Sequence, residues 1–194
     1  MECQNTKNNR GFIFIELMTV IAIISVGMVA AMAMIDRTKA EVNIVRERFA
    51  ATYLGQEGIE IVRNIRDANW MEDGACWLDG LHLEGEEYGT TLISKASYDE
   101  LDSLEELYIG TGDDIEDYYD DTRLYIDNDD RYHHDGGGEF GGFSRVIEVS
   151  LERDEDKDED YLEVDVYVQW SGGEVHISKV LYNWLSIRSD CNDG

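Results

Sequence analysis

The sequence predicts an α+β fold in which a long N-terminal helix, its first half membrane-spanning, packs on a C-terminal antiparallel β-sheet. Three observations predict it. Residues 17–35 form a run without a charge, close to the ~20 apolar residues that cross a bilayer as a helix. A helical apolar spacing then continues to about Asn69. From Arg123 onward the pattern changes to period two, with apolar and polar residues alternating as on a half-buried strand.

At the N-terminus, Lys7 and Arg10 precede the apolar run, which favours a cytoplasmic N-terminus. The run is long and passes directly into the next helical pattern, so a retained anchor fits better than a cleaved secretory signal. Phe12–Ile15 extend it on the near side of Glu16. A carboxylate at the centre of a membrane helix costs about 2.5–3.5 kcal/mol, and less near the interface. Glu16 therefore either snorkels at the membrane edge or has a partner. A cut between Gly11 and Phe12 would supply one, because the new α-amino group of one subunit can neutralise Glu16 of its neighbour.

The stretch Arg10-Gly11-Phe12-Ile13-Phe14-Ile15-Glu16-Leu17-Met18, followed by Thr19-Val20-Ile21-Ala22-Ile23-Ile24, resembles the prepilin processing motif of type IV pilins and type II secretion pseudopilins. The resemblance implies a pilin-like fold and cleavage of Gly11–Phe12 by a prepilin peptidase on the cytoplasmic side. It also implies N-methylation of Phe12 and a subunit-alignment role for Glu16. The chain departs from the family pattern at Ile13 and Phe14, where Thr-Leu is commoner. It also lacks any proline, with Ala31, Met32 and Ala33 where many pilins bend the helix. Gly27 is then the weak point of that segment.

Over residues 36–69, Val42, Val45, Phe49 and Tyr53 recur at helical spacing, and Leu54, Gly58, Ile61 and Ile65 are expected to continue the stripe with a small drift. Arg37, Lys39, Arg46, Arg48, Arg63 and Arg66 line the other faces, as solvated charges or as contacts to acidic patches of neighbouring subunits. Gly55 and Gly58 each weaken the helix by about 1 kcal/mol relative to alanine. A helix from Phe12 to about Arg66 would be on the order of 80 Å long. The segment Gln56–Asp67 with Asn69-Trp70, and the later Val180-Leu181-Tyr182-Asn183-Trp184, also resemble a subgroup of bacterial prepilin-type proteins.

Residues 70–122 read as a variable acidic insert, with Trp77, Leu78 and Leu81 placed to pack on the helix. A short helical turn is expected at Ser103–Tyr108 and an exposed acidic loop at Gly112–Asp121. Strand signals follow at Arg123–Asp127 and at Arg131–His133, joined by the turn Asn128-Asp129-Asp130. The glycines from Gly136 to Gly142 read as a flexible link. Three longer strands are expected at Ser144–Glu152, Tyr161–Trp170 and Glu174–Leu185. In the second of these, Leu162, Val164, Val166, Val168 and Trp170 share one face. The resulting organisation is a leader at 1–11, the transmembrane or filament-core half of the helix at 12–35 and its amphipathic half at 36–69. The insert at 70–122 and a β-sheet region at 123–194 complete it.

The net charge of −27 falls wholly on residues 36–194, because Glu2, Lys7, Arg10 and Glu16 cancel. So acidic a domain repels nucleic-acid phosphates, and no direct nucleic-acid partner is expected. Removal of the leader takes Cys3 with it and leaves Cys76 and Cys191, a candidate disulfide in an oxidising exterior. The four histidines have no zinc-ligand spacing, and no nucleophile or phosphate-cradling loop marks an enzyme. No cofactor is required. Calcium is the one candidate, through Asp154, Asp156, Asp158 and Asp160, whose alternate carboxylates suit it. The EF-hand glycine is replaced there by Glu159, so a solvated hairpin tip is the competing reading.

These readings imply a structural subunit, pilin or pseudopilin. Its expected partners are copies of itself, other pilins, the prepilin peptidase, the membrane and the inner-membrane assembly machinery. It would be a single-pass inner-membrane protein before assembly and part of an extracellular or periplasmic filament afterwards. The alternative is a signal-anchored acidic ectodomain acting as a calcium-dependent binding module.

Overall fold

A computed structural model of the chain describes residues 10–72, 75–83, 86–97, 102–111, 114–134, 136–154 and 159–183, and side chains from residue 14 onward. Helix α1 spans Arg10–Met71 without interruption, as a proline-free segment allows. The chain divides into two compact units, Met1–Arg46 and Glu47–Gly194. In the first, the described part is helix alone, and every described side chain from Phe14 to Val45 is exposed.

The second unit joins the end of α1 to a seven-stranded antiparallel sheet, an α+β layout. The strands are β1 (Thr91–Lys95), β2 (Glu105–Gly110), β3 (Arg123–Ile126), β4 (Tyr132–His133), β5 (Glu139–Asp154), β6 (Glu159–Trp170) and β7 (Gly173–Tyr182). The long strand β5 organises the sheet. One edge pairs with β6, which in turn pairs with β7. The other edge is shared between β1, which meets Ile147–Ser150, and β3, which meets Glu139–Ser144. Strands β2 and β4 lie outside β1 and β3.

Alternation along the strands decides what is buried. On β6, Leu162, Val164, Val166 and Val168 are fully buried, and on β5 Ile147, Val149 and Leu151 join the same core. These meet Ala51, Leu54, Ile61, Val62 and Ile65 of α1, with Trp77, Leu78, Leu81 and Leu83 closing the core after the helix. Each such aliphatic side chain contributes about 1.5–3 kcal/mol by leaving water. On the opposite face, Val146, Ile93 and Tyr119 form a smaller cluster.

Three expectations are corrected. The segment expected as a helical turn at 103–108 is instead strand β2, because its residues pair with β1. The insert is thus part of the sheet, although a 3₁₀ turn at Ile115–Tyr118 does carry exposed acidic residues. Gly141 and Gly142, read as a link, lie inside β5, where the pairing with β3 shifts register. That irregularity is what glycine within a strand accommodates. The third correction concerns the helix stripe and follows below.

Strand β7 meets the end of the helix at Arg66. Arg66 pairs with Asp67 at 2.7 Å, lies over the Trp70 ring at 4.3 Å and donates to the Tyr182 carbonyl at 3.4 Å. Asn69 then holds the departing chain by donating to the carbonyls of Asp79 (2.7 Å) and Trp77 (3.3 Å).

Candidate functional site

From Phe14 to Ile35 the helix is apolar all round and wholly exposed, long enough for a single membrane span. Its hydroxyls are satisfied within the helix: Thr19 donates to the Glu16 carbonyl (2.8 Å) and Ser25 to that of Ile21 (2.7 Å). Glu16 is the sole charged residue between Phe14 and Ile35, and its side chain is exposed. Gly11 and Phe12 lie in the first turns of α1.

Beyond Asp36 the helix carries two apolar stripes, where one was expected. At 3.6 residues per turn, Val42, Val45, Phe49 and Tyr53 share one side, while Ala51, Leu54, Gly58, Ile61 and Ile65 lie on roughly the opposite side. The second stripe is buried on the sheet. The first is not: Phe49 is 60% and Tyr53 68% exposed, and Val42 and Val45 are exposed as well. The small drift between the two sets in the sequence is a change of face.

Where the buried stripe meets the sheet, the helix backbone comes close. A Cβ on Gly58 would lie 2.9 Å from Val166 Cγ1, and one on Gly55 2.8 Å from Ile177 Cδ1. These glycines weaken the helix intrinsically yet let it sit against β6 and β7. Beside them stands Arg145, in phase with Ile147, Val149 and Leu151 and fully buried. Its guanidinium donates to the Leu54 carbonyl (3.1 Å), the Glu57 carboxylate (3.1 Å) and the Ala96 carbonyl (2.5 Å). Burial pulls on its charge and Glu57 holds it in place. Sequence reasoning missed Arg145, although a basic residue in phase with three core aliphatics was the available signal.

The outer face of the sheet carries a polar network. Tyr167 stacks flat on His176 with centroids 4.4 Å apart, and His176 Nε2 lies 2.5 Å from Asp165. Glu148 is paired with Asp165 across the strands, and burial raises its carboxyl above the usual range. Tyr119 donates to Glu174, and burial with that carboxylate raises its hydroxyl strongly. A cleft of about 770 Å³ lies between the β3–β4 turn and the start of β5, lined by Asp127, His133, Glu139 and Phe140 among others. Asp127 is already engaged there, its Oδ1 accepting from the amides of Asp129 (2.8 Å) and Arg131 (3.0 Å).

Of the calcium candidates, Asp160 accepts from the Tyr88 hydroxyl at 2.9 Å and lies 3.8 Å from Arg153. Asp154 pairs across the hairpin with Glu159. Asp156 and Asp158 lie outside the described residues. Among the described residues no three His, Cys, Asp or Glu side chains converge as a metal site. Cys76 is disulfide-bonded, and Cys191 lies outside the described residues.

Comparison of the chain with protein-family models, with curated proteins and with solved structures finds no match.

Proposed function

We propose that this chain is a structural subunit of the pilin or pseudopilin kind, cut between Gly11 and Phe12 by a prepilin peptidase and N-methylated on Phe12. It then polymerises through its helix into a type IV pilus or secretion-type filament. Its role is non-enzymatic, and its partners are further copies, other pilins and the inner-membrane assembly machinery.

The observation that carries this reading is the exposed stripe Val42, Val45, Phe49 and Tyr53. A simple anchor needs lipid only as far as Ile35. These four residues stand beyond the charged Asp36, Arg37 and Lys39, and Phe49 and Tyr53 lie on the side of the helix away from the sheet. Apolar surface in that position calls for a protein partner. A neighbouring helix presenting the same stripe covers it, and the α-amino group released at Phe12 offsets Glu16 in the same bundle.

Intact-mass analysis of the protein from its native membranes tests the proposal. A species beginning at N-methyl-Phe12, recovered in filaments visible by electron microscopy, is expected. A chain that retains Met1 and stays dispersed overturns it.

A further inference from the structure

We infer that the junction where the β3–β4 hairpin meets the end of β1 and the Arg145–Glu57 pair is an acid-released latch, opened by protonation of His134.

The geometry puts the three parts on one short segment. Ala96 and Ser97 follow β1; the Ala96 carbonyl accepts from Arg145 Nη2 at 2.5 Å, and Ser97 Oγ accepts from the His134 amide at 3.0 Å. The same guanidinium reaches the helix through Leu54 and Glu57. The helix, β5, the end of β1 and the hairpin are therefore joined through two neighbouring residues. At this joint His134 is half-buried with both ring nitrogens out of water, and among the described residues neither nitrogen is within well-formed hydrogen-bond geometry of a partner. A neutral imidazole tolerates that position; an imidazolium there has two buried N–H groups and a charge to satisfy.

Among the described residues the balance of charges acting on the ring opposes protonation. Arg145 of β5 and Lys95 of β1 act on the ring as like charges, and the carbonyls of Arg123 on β3 and of Ala96 favour protonation less strongly than these oppose it. The carboxylate at the junction, Glu57 of α1, is already paired with Arg145. Burial, reinforced by Arg145, holds the ring neutral down to about 3, against 6.5 for a free histidine. Because the closed form lowers this value, its advantage is complete above about 6.5 and is lost as pH falls toward 3. The hairpin that would swing out also carries His133 and a wall of the 770 Å³ cleft, so release reshapes that part of the surface. This inference stands apart from filament assembly.

Backbone hydrogen exchange of the full chain in detergent micelles, corrected for intrinsic pH dependence, tests it between pH 7.5 and 4.5. Opening of residues 122–134 is expected to rise up to ~10-fold for each pH unit below about 6 in the wild type, and to stay flat in His134→Gln. A flat wild-type profile, or one shared with the variant, overturns the proposal. Should the variant not fold, ring titration of His134 by NMR in the wild type decides it. Titration together with loss of Ser97 and Ala96 amide protection is expected. A simple titration near 6.5 with those amides still protected overturns it.

Discussion

Arg145 and Glu57 meet at 3.1 Å with unequal burial: the guanidinium is completely enclosed, whereas the carboxylate side chain is 37% exposed. This asymmetry orders the cost of removing either. Glu57→Ala leaves a buried charge held by carbonyls alone, at about 3 kcal/mol. Arg145→Met removes the charge, leaves Glu57 in reach of water and orphans the Ala96 carbonyl, at about 1–2 kcal/mol. Thermal melts of the two variants should therefore place Glu57→Ala lower. The opposite order would mean that the guanidinium matters for its packing more than for its charge.

Gly55 and Gly58 separate two effects of glycine in a helix. Alanine at either site gains about 1 kcal/mol of helix propensity. At Gly55 the new methyl meets the flexible end of Ile177, which can turn aside. At Gly58 it meets both γ-carbons of Val166, at 2.9 and 3.2 Å, and a valine has little rotamer freedom to yield. Gly55→Ala should be close to neutral, and Gly58→Ala destabilising by about 1–3 kcal/mol. Equal melting temperatures for the two variants would contradict this.

Glu148 provides a pH test on the outer face. Burial and the neighbouring Asp165 raise its carboxyl, while Tyr167 pulls the other way. A carboxyl whose folded value is raised stabilises the fold below its unfolded value, and that contribution is lost as pH rises through the folded value. Glu148→Gln should therefore raise the melting temperature at pH 7. The gain should shrink as the solution is acidified into the carboxylate range. A gain that does not depend on pH would assign the effect to packing.

The strands were legible because period-two alternation carries its own phase: Leu162 to Val168 lie buried, as their spacing requires. The helix was legible in extent but not in its facing. Val42–Tyr53 and Leu54–Ile65 are each in register, and only the sheet shows that the chain changes sides between them. Strands β1 and β2 were hidden because they are short and are joined through the largely polar segment 96–104. Arg145 was overlooked for a related reason. Its buried hydrogen bonds go to the carbonyls of Leu54 and Ala96, far away in sequence, and no local pattern announces them.

Glu16 tests the proposed assembly role of the N-terminal motif. Its side chain makes no intramolecular ion pair among the described residues, so Glu16→Ala should leave the fold of the second unit intact and should not impair membrane insertion. Removing a charge from an apolar span makes insertion easier, by about 2.5–3.5 kcal/mol if the residue sits at mid-membrane. Filament yield should nevertheless fall at least ~10-fold, corresponding to about 1.4 kcal/mol of lost subunit affinity. Wild-type filament numbers from this variant would remove Glu16 from the assembly mechanism.

The outward stripe supplies a test beyond the proposed membrane span. Phe49 and Tyr53 are exposed on the face away from the sheet, so Phe49→Ser or Tyr53→Ser should change stability by less than about 0.5 kcal/mol. Neither alters the proposed leader, Glu16 or the apolar segment, so the proposed processing to Phe12 should proceed normally. If neighbouring helices pack along this stripe, the double variant forfeits about 1.5–3 kcal/mol per aromatic side chain at each contact. Subunits should then accumulate in the membrane as mature but unassembled protein, seen as correct N-terminal mass without sheared filaments. Should the double variant assemble normally, the stripe serves some other partner, and the bundle must be held by residues 14–35 alone.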